Sequence, residues 1–149
     1  MPDRTAPAAG TALRTVTATR YVTPLREGGS LPGLIEADDD GLYVLKFRGA
    51  GQGPRALVAE WIAGEIARLI GLPVPEIVAI DLDPRLADAE PDPEIQDLMR
   101  RSEGRNLGLD FLPGALAYDS SAASAPPSAF AADVVWLDGL VTNPDRSPQ

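Results

Sequence analysis

A single lysine, Lys46, stands in the run Leu42-Tyr43-Val44-Leu45-Lys46-Phe47, which otherwise reads as a β-strand. The other twelve basic residues are all arginine. A lysine among strand neighbours that want burial is costly unless its ammonium meets a carboxylate or a phosphate. The strand must therefore lie where a second element can bring it an acid, or where an anion can reach it. Arginine bias from a GC-rich genome would also leave a lone lysine, so the feature needs support from its surroundings.

Those surroundings read as a small sheet. Leu13 to Leu25 is rich in Thr and Val and forms a first strand. Arg26-Glu27-Gly28-Gly29-Ser30-Leu31-Pro32-Gly33 is a turn, and Leu34 to Ala37 a short second strand. Asp40-Gly41 is a hairpin signal that leads into a third strand, Leu42 to Arg48. Gly49, Gly51 and Gly53 mark a second glycine-rich loop, and Pro54 suits the first turn of a helix over Arg55 to Ile70. Val58, Ile62, Ile66 and Leu69 keep helical spacing and define its expected buried stripe. Glu60 falls opposite that stripe and Glu65 on its flank. Gly71 stops the helix, and Pro73 and Pro75 bar its continuation. Ile77 to Leu82 is a fourth strand. Asp83 to Pro93 reads as a surface loop, Glu94 to Arg101 as a short helix, and Leu107 to Leu112 as a fifth strand.

Ser120 to Ser128 contains only Ser, Ala and Pro, a linker composition. A last helix, Ala129 to Val141, aligns Phe130, Val134, Leu137 and Val141 on one face. The expected layout is a disordered start at 1–12, a sheet lobe at 13–118, a linker at 119–128 and a C-terminal segment at 129–149. The fold class expected is α+β: an antiparallel sheet of about five strands with one helix, as in a protein-kinase N-lobe, followed by the first helix of a helical lobe.

Composition narrows the chemistry. The 149 residues hold no cysteine and no histidine, which removes disulfides, the usual zinc sites and histidine-dependent nucleophilic catalysis. Any metal must be held by oxygen ligands, which points to magnesium. A net charge of -9 argues against nucleic acid as a partner. There is no signal-peptide pattern and no apolar run of about eighteen residues, so no membrane partner is expected and the default location is cytoplasmic.

Phosphoryl transfer from ATP needs positive charge on the phosphates, backbone donors near them, and a carboxylate to accept the hydroxyl proton. Lys46 on a strand and Glu60 on the next helix have the order that a phosphate clamp needs; Glu65 is a rival partner, and a solvated helix face is the plain alternative for Glu60. Tyr43-Val44-Leu45-Lys46 matches the strand pattern Val-Ala-Ile-Lys only weakly. Gly28 and Gly29 would let a turn fold over the phosphates, although an ordinary hairpin loop has the same composition. Asn143-Pro144-Asp145-Arg146 directly follows the last helix, and Asp145 has the place of a catalytic base. In the kinase catalytic loop a magnesium-binding Asn follows the base by five positions, which here is position 150, past Gln149.

Together these residues resemble the HipA-like kinase family, and its short actinobacterial-type branch in particular. The similar stretches are Tyr21 to Ser30, Val44 to Gly53, Ala59-Glu60 through Gly71-Leu72-Pro73-Val74-Pro75-Glu76, Asp110-Phe111-Leu112-Pro113-Gly114, and Val141 to Arg146. They span about residues 13 to 147. The resemblance implies ATP-dependent transfer of a phosphate to a Ser or Thr hydroxyl of an unknown protein substrate. It implies ATP and Mg2+ as cofactors in a complete family member. By it, Lys46 contacts the phosphates with Gly28, Gly29 and Ser30 nearby, and Glu60 orients Lys46. Asp110, Phe111 and Leu112 form the hinge that receives adenine, and Asp145 is the base. The family continues beyond the length seen here, so the expectation is a truncated chain without autonomous turnover.

Two other readings remain. Leu42 to Phe47, the glycine loop and Ile77 to Leu82 ending near Asp81 would make a dinucleotide-binding βαβ unit, although Pro54 breaks its fingerprint. A non-catalytic binding module would use an exposed face at Phe130, Val134 and Leu137 to take a partner.

Overall fold

The computed structural model describes residues 12–25, 30–116, 118–119, 121, 124–144 and 146. Gly28, Gly29 and Asp145, and the start expected to be disordered, lie outside them except for residue 12. Five strands form the body: β1 (Thr15–Pro24), β2 (Gly33–Ala37), β3 (Leu42–Lys46), β4 (Ile77–Leu82) and β5 (Gly104–Asp110). Helix α1 (Pro54–Leu69) joins β3 to β4, a 3-10 turn (Pro84–Ala89) and α2 (Pro93–Arg101) join β4 to β5, and α3 (Ser128–Val141) follows. Among the described residues, no helix is long and apolar enough to cross a membrane.

The sheet corrects the expected fold. It is a closed barrel in the order β1-β2-β3-β5-β4 with mixed pairing, not the open antiparallel sheet of a kinase N-lobe. The hairpin signals did lead to antiparallel neighbours: β1 with β2, β2 with β3, β3 with β5 and β4 with β5. The closing pair, β1 with β4, is parallel and joins Thr15, Val16 and Thr17 to Ala79, Ile80 and Asp81. The cause lies in the ten residues of β1, which is long enough to serve two neighbours in turn. Register shifts at Ala18/Arg20 and Tyr21/Thr23 bend it, so its first part follows β4 and its second part follows β2. The β3 strand therefore lies between two antiparallel neighbours, with β4 beyond β5, which excludes the βαβ reading.

Strand alternation fills the barrel. Val16, Ala18, Ile35, Tyr43, Leu45, Phe47, Val78, Ile80 and Leu82 point inward and form one cluster. Gly108 makes room for it, since a Cβ there would lie 2.3 Å from Ile80 Cδ1. The cluster also takes in Ala87, Ile95, Leu98 and Met99. The stretch expected as a surface loop thus forms, with α2, a covering layer over the core. Asp83 and Asp92 start the two elements by accepting hydrogen bonds from the backbone of Arg85 and Glu94.

The last helix uses part of its expected face. Leu137 is buried against Ala67 and Leu72, with Val134 and Val141 beside it. Phe130 stays partly exposed, and Val135, Trp136 and Leu140 form the exposed apolar side.

Candidate functional site

Tyr43 and Leu45 in β3, and Phe47 just after it, take the inward positions, so Lys46 must face outward. The ammonium is not in the core. It sits on the side of the barrel that α1 covers, where its side chain is 27 % exposed. The ladder places Lys46 beside Leu107 of β5, and Leu45 beside Gly33 of β2.

Helix α1 approaches this side through small residues. A Cβ on Gly64 would fall 2.3 Å from Ile77 Cδ1, so only glycine lets the helix lie this close to β4. Among its buried and half-buried positions, Leu57, Glu60, Gly64 and Ala67 follow one another at steps of three or four and share one face. This corrects most of the stripe read from the sequence: Val58, Ile62 and Leu69 are 51 %, 53 % and 67 % exposed, and of the four only Ile66 packs, against Ala67, Leu72 and Leu137. Two apolar stripes share the helix, and close packing selected the one with the small residues. Glu60 thereby turns toward the sheet, and its Oε1 lies 3.2 Å from Lys46 Nζ. Glu65, the rival, lies 4.0 Å from Arg68.

The β3–β5 ladder runs from this pair to the expected hinge. Lys46 pairs with Leu107, and Tyr43 with Asp110. Beyond the ladder, Asp110 N donates to Glu76 O at 2.8 Å and Phe111 N to Leu42 O at 2.9 Å. Leu112 follows, 49 % exposed. Ser30 is exposed in the β1–β2 connection, which a hydrogen bond from Leu25 N to Pro32 O closes at 2.7 Å. The connection enters β2 at Gly33, one ladder step from Lys46.

Two polar groupings escaped the sequence reading. Arg14 donates to both oxygens of Glu76 at 3.0 Å, to Asp39 at 2.7 Å and to Tyr43 Oη at 2.8 Å. Tyr43 Oη in turn donates to Asp39 at 2.7 Å. Burial pushes the Asp39 carboxyl up, but the hydrogen bonds from Tyr43, Arg14 and the Gly41 backbone outweigh it and hold the group at about 2. Arg14 is pushed up, chiefly by its bond to Glu76. At the end of α3, Asp138 gathers Asn143 and Arg146. It accepts from Asn143 Nδ2 at 3.0 Å and from Arg146 Nε, while Asn143 N donates to the Asp138 backbone oxygen. Burial raises the Asp138 carboxyl, and these bonds more than reverse that. The signal in the sequence is an acid, Asp138, four residues before Thr142 at the end of the last helix. One Asp on a helix face is commonplace, so the sequence alone does not mark it.

The site is thus a lysine held by a helix acid, beside a ladder that runs on to Asp110 and the exposed Leu112. The chain belongs to the HipA-like kinase family, whose model matches residues 19–149. Neither a curated protein nor a solved structure matches it.

Proposed function

We propose that this chain forms the nucleotide-binding part of an ATP-dependent protein kinase, which transfers the γ-phosphate to a Ser or Thr hydroxyl. The observation that carries the proposal is the 3.2 Å contact between Lys46 Nζ and Glu60 Oε1 on adjoining elements. Glu60 aims the ammonium, and Lys46 supplies positive charge to the α- and β-phosphates. Asp110, Phe111 and Leu112 receive the adenine. Leu107 and Asp110 are three residues apart on β5, about 10 Å at the strand rise, a span that an extended nucleotide can bridge. Gly28, Gly29 and Ser30 cover the phosphates from the β1–β2 connection.

Asp145 accepts the proton of the attacking hydroxyl; Asp138 supports this reading by gathering Asn143 and Arg146 at the end of the last helix. Magnesium neutralises the transferring phosphates in this class of reaction. Among the described residues, no group of three acids gathers to hold a metal, so no step here is assigned to metal ligands of this chain.

A fluorescent ATP analogue titrated into the protein tests the reading. Lys46→Ala should weaken binding by about tenfold or more, the loss of one charge-assisted contact. Glu60→Gln should weaken it less, because the ammonium stays but loses its anchor. Equal affinity for the wild type and Lys46→Ala would overturn the proposal. In any form of the protein that turns over, Asp145→Asn should slow transfer by about two to four orders of magnitude.

A further inference from the structure

Between α1 and the outer face of the sheet lies a cleft of about 240 Å³. Leu57, Val58 and Trp61 form its helix side and Leu107 part of its floor. Arg48 and Arg105, both exposed, stand at its edge. The Trp61 Nε1 is buried and has no hydrogen-bond partner among the described residues. A buried indole N–H without an acceptor has given up its bond to water for nothing, so the wall carries an unmet donor. The two arginines are also unusual in a chain of net charge -9. Arg48 donates to the Glu103 backbone oxygen at 2.6 Å, and neither guanidinium forms an ion pair among the described residues.

We infer that this cleft binds a small aromatic carboxylate, and that its occupant strengthens nucleotide binding at Lys46. The apolar walls and the Trp61 ring favour an aromatic body. The volume falls below the roughly 300–1,000 Å³ of drug-sized sites, which limits the occupant to about one ring and a short chain. The arginine forks match the planar geometry of a carboxylate. The coupling follows from shared residues. Leu57 and Trp61 flank Glu60 on α1, and Leu107 is the ladder partner of Lys46. A molecule held between them ties α1 to β5 and favours the state in which Glu60 meets Lys46. This second part rests on the nucleotide reading given above.

The test uses the full chain, labelled with 15N, carrying Trp136→Phe. Trp136 is exposed on α3, so the substitution leaves Trp61 as the single indole. The probe is 3-phenylpropionate, with 3-phenylpropanamide as its uncharged control. The acid should shift the Trp61 indole resonance saturably. The amide, and the Arg48→Gln and Arg105→Gln variants, should bind about tenfold more weakly. Val58→Phe, a filling change at an exposed edge position, should abolish the shift. The acid should also tighten the fluorescent ATP analogue by about fivefold or more, the lower end of ordinary coupling. No saturable shift, or equal binding of acid and amide, overturns the site. Deletion of residues 2–11 that by itself raises affinity for the acid would make the chain's own start the occupant and overturn it equally. Saturable binding with unchanged nucleotide affinity overturns the coupling. If Lys46→Ala leaves nucleotide binding intact, the nucleotide reading fails instead, and the Trp61 shift alone judges the cleft.

Discussion

A half-exposed ion pair contributes little to folding, about 0–1 kcal/mol, because solvent screens it and two long side chains must be ordered. Lys46 and Glu60 are such a pair, at 27 % and 36 % side-chain exposure. Lys46→Met should therefore lower unfolding free energy by less than about 1 kcal/mol in urea melts, while the proposed nucleotide binding weakens by about tenfold or more. A loss several times larger would make the lysine a structural residue. Tyr21 presents the opposite case. Its hydroxyl is buried without a partner among the described residues, and its pKa is pushed up to about 12, by burial first and then by Glu90 and Asp92. Tyr21→Phe removes a polar group that gains nothing from folding, so stability should stay level or rise by about 1 kcal/mol. The lysine was legible in the sequence because it is singular. The tyrosine was not, since nothing local shows that the ring will pack against Phe47, with centroids 6.4 Å apart, and leave its hydroxyl stranded.

Element identity was written in the chain more plainly than element orientation. Ile77–Leu82 was readable to the residue because four buried positions in a row leave no polar side to mistake. The beginning of β5 was missed because Gly104, Arg105 and Asn106 are poor strand formers. Tertiary contacts hold them instead. The buried Asn106 amide donates to Ser102 O and Gly104 O at 2.8 Å and accepts from Arg48 N at 2.8 Å. The inward side of α1 was misread because helical spacing alone fits two stripes, and only the fit of Gly64 over Ile77 decides between them. The same strand β5 offers a sharp test of barrel packing. At Gly108 an added Cβ would meet Ile80 Cδ1 at 2.3 Å, Ile80 Cγ1 at 2.8 Å and Val78 Cγ2 at 3.0 Å. A single rotamer change cannot clear three contacts on two branched side chains. Gly108→Ala should destabilise by about 1–3 kcal/mol, the usual cost of overpacking, seen as a lower urea midpoint with an unchanged slope.

At the scale of the whole molecule, the closure of the barrel is what local sequence signals could not carry. Turns announce antiparallel neighbours, but a parallel pair between the first and fourth strands needs no turn and leaves no mark. Its consequence is chemical as well as geometric. Parallel pairing brings the entries of β1 and β4 together, so Arg14 reaches Glu76, and the hairpin end adds Asp39 and Tyr43. This cluster seals the end of the barrel next to Asp110, whose N–H is held by Glu76 O. It should make closure sensitive to acid. The Asp39 carboxyl is held at about 2 when folded, below its ordinary value near 3.9. A depressed carboxylate contributes stability that is fully present above the unfolded value and is lost as pH falls through the folded value. The window thus runs from about pH 4 to about pH 2, and after allowance for solvent screening the contribution is about 1 kcal/mol. Urea melts of the wild type and Asp39→Ala at pH 5, 3 and 2 isolate it, because carboxylates common to both proteins cancel in the difference. The gap between the two proteins should be full at pH 5, reduced at pH 3 and smallest at pH 2. A gap that stays constant over that range would show that Asp39 holds the hairpin by shape rather than by charge, and that the closing cluster does not depend on its ionisation.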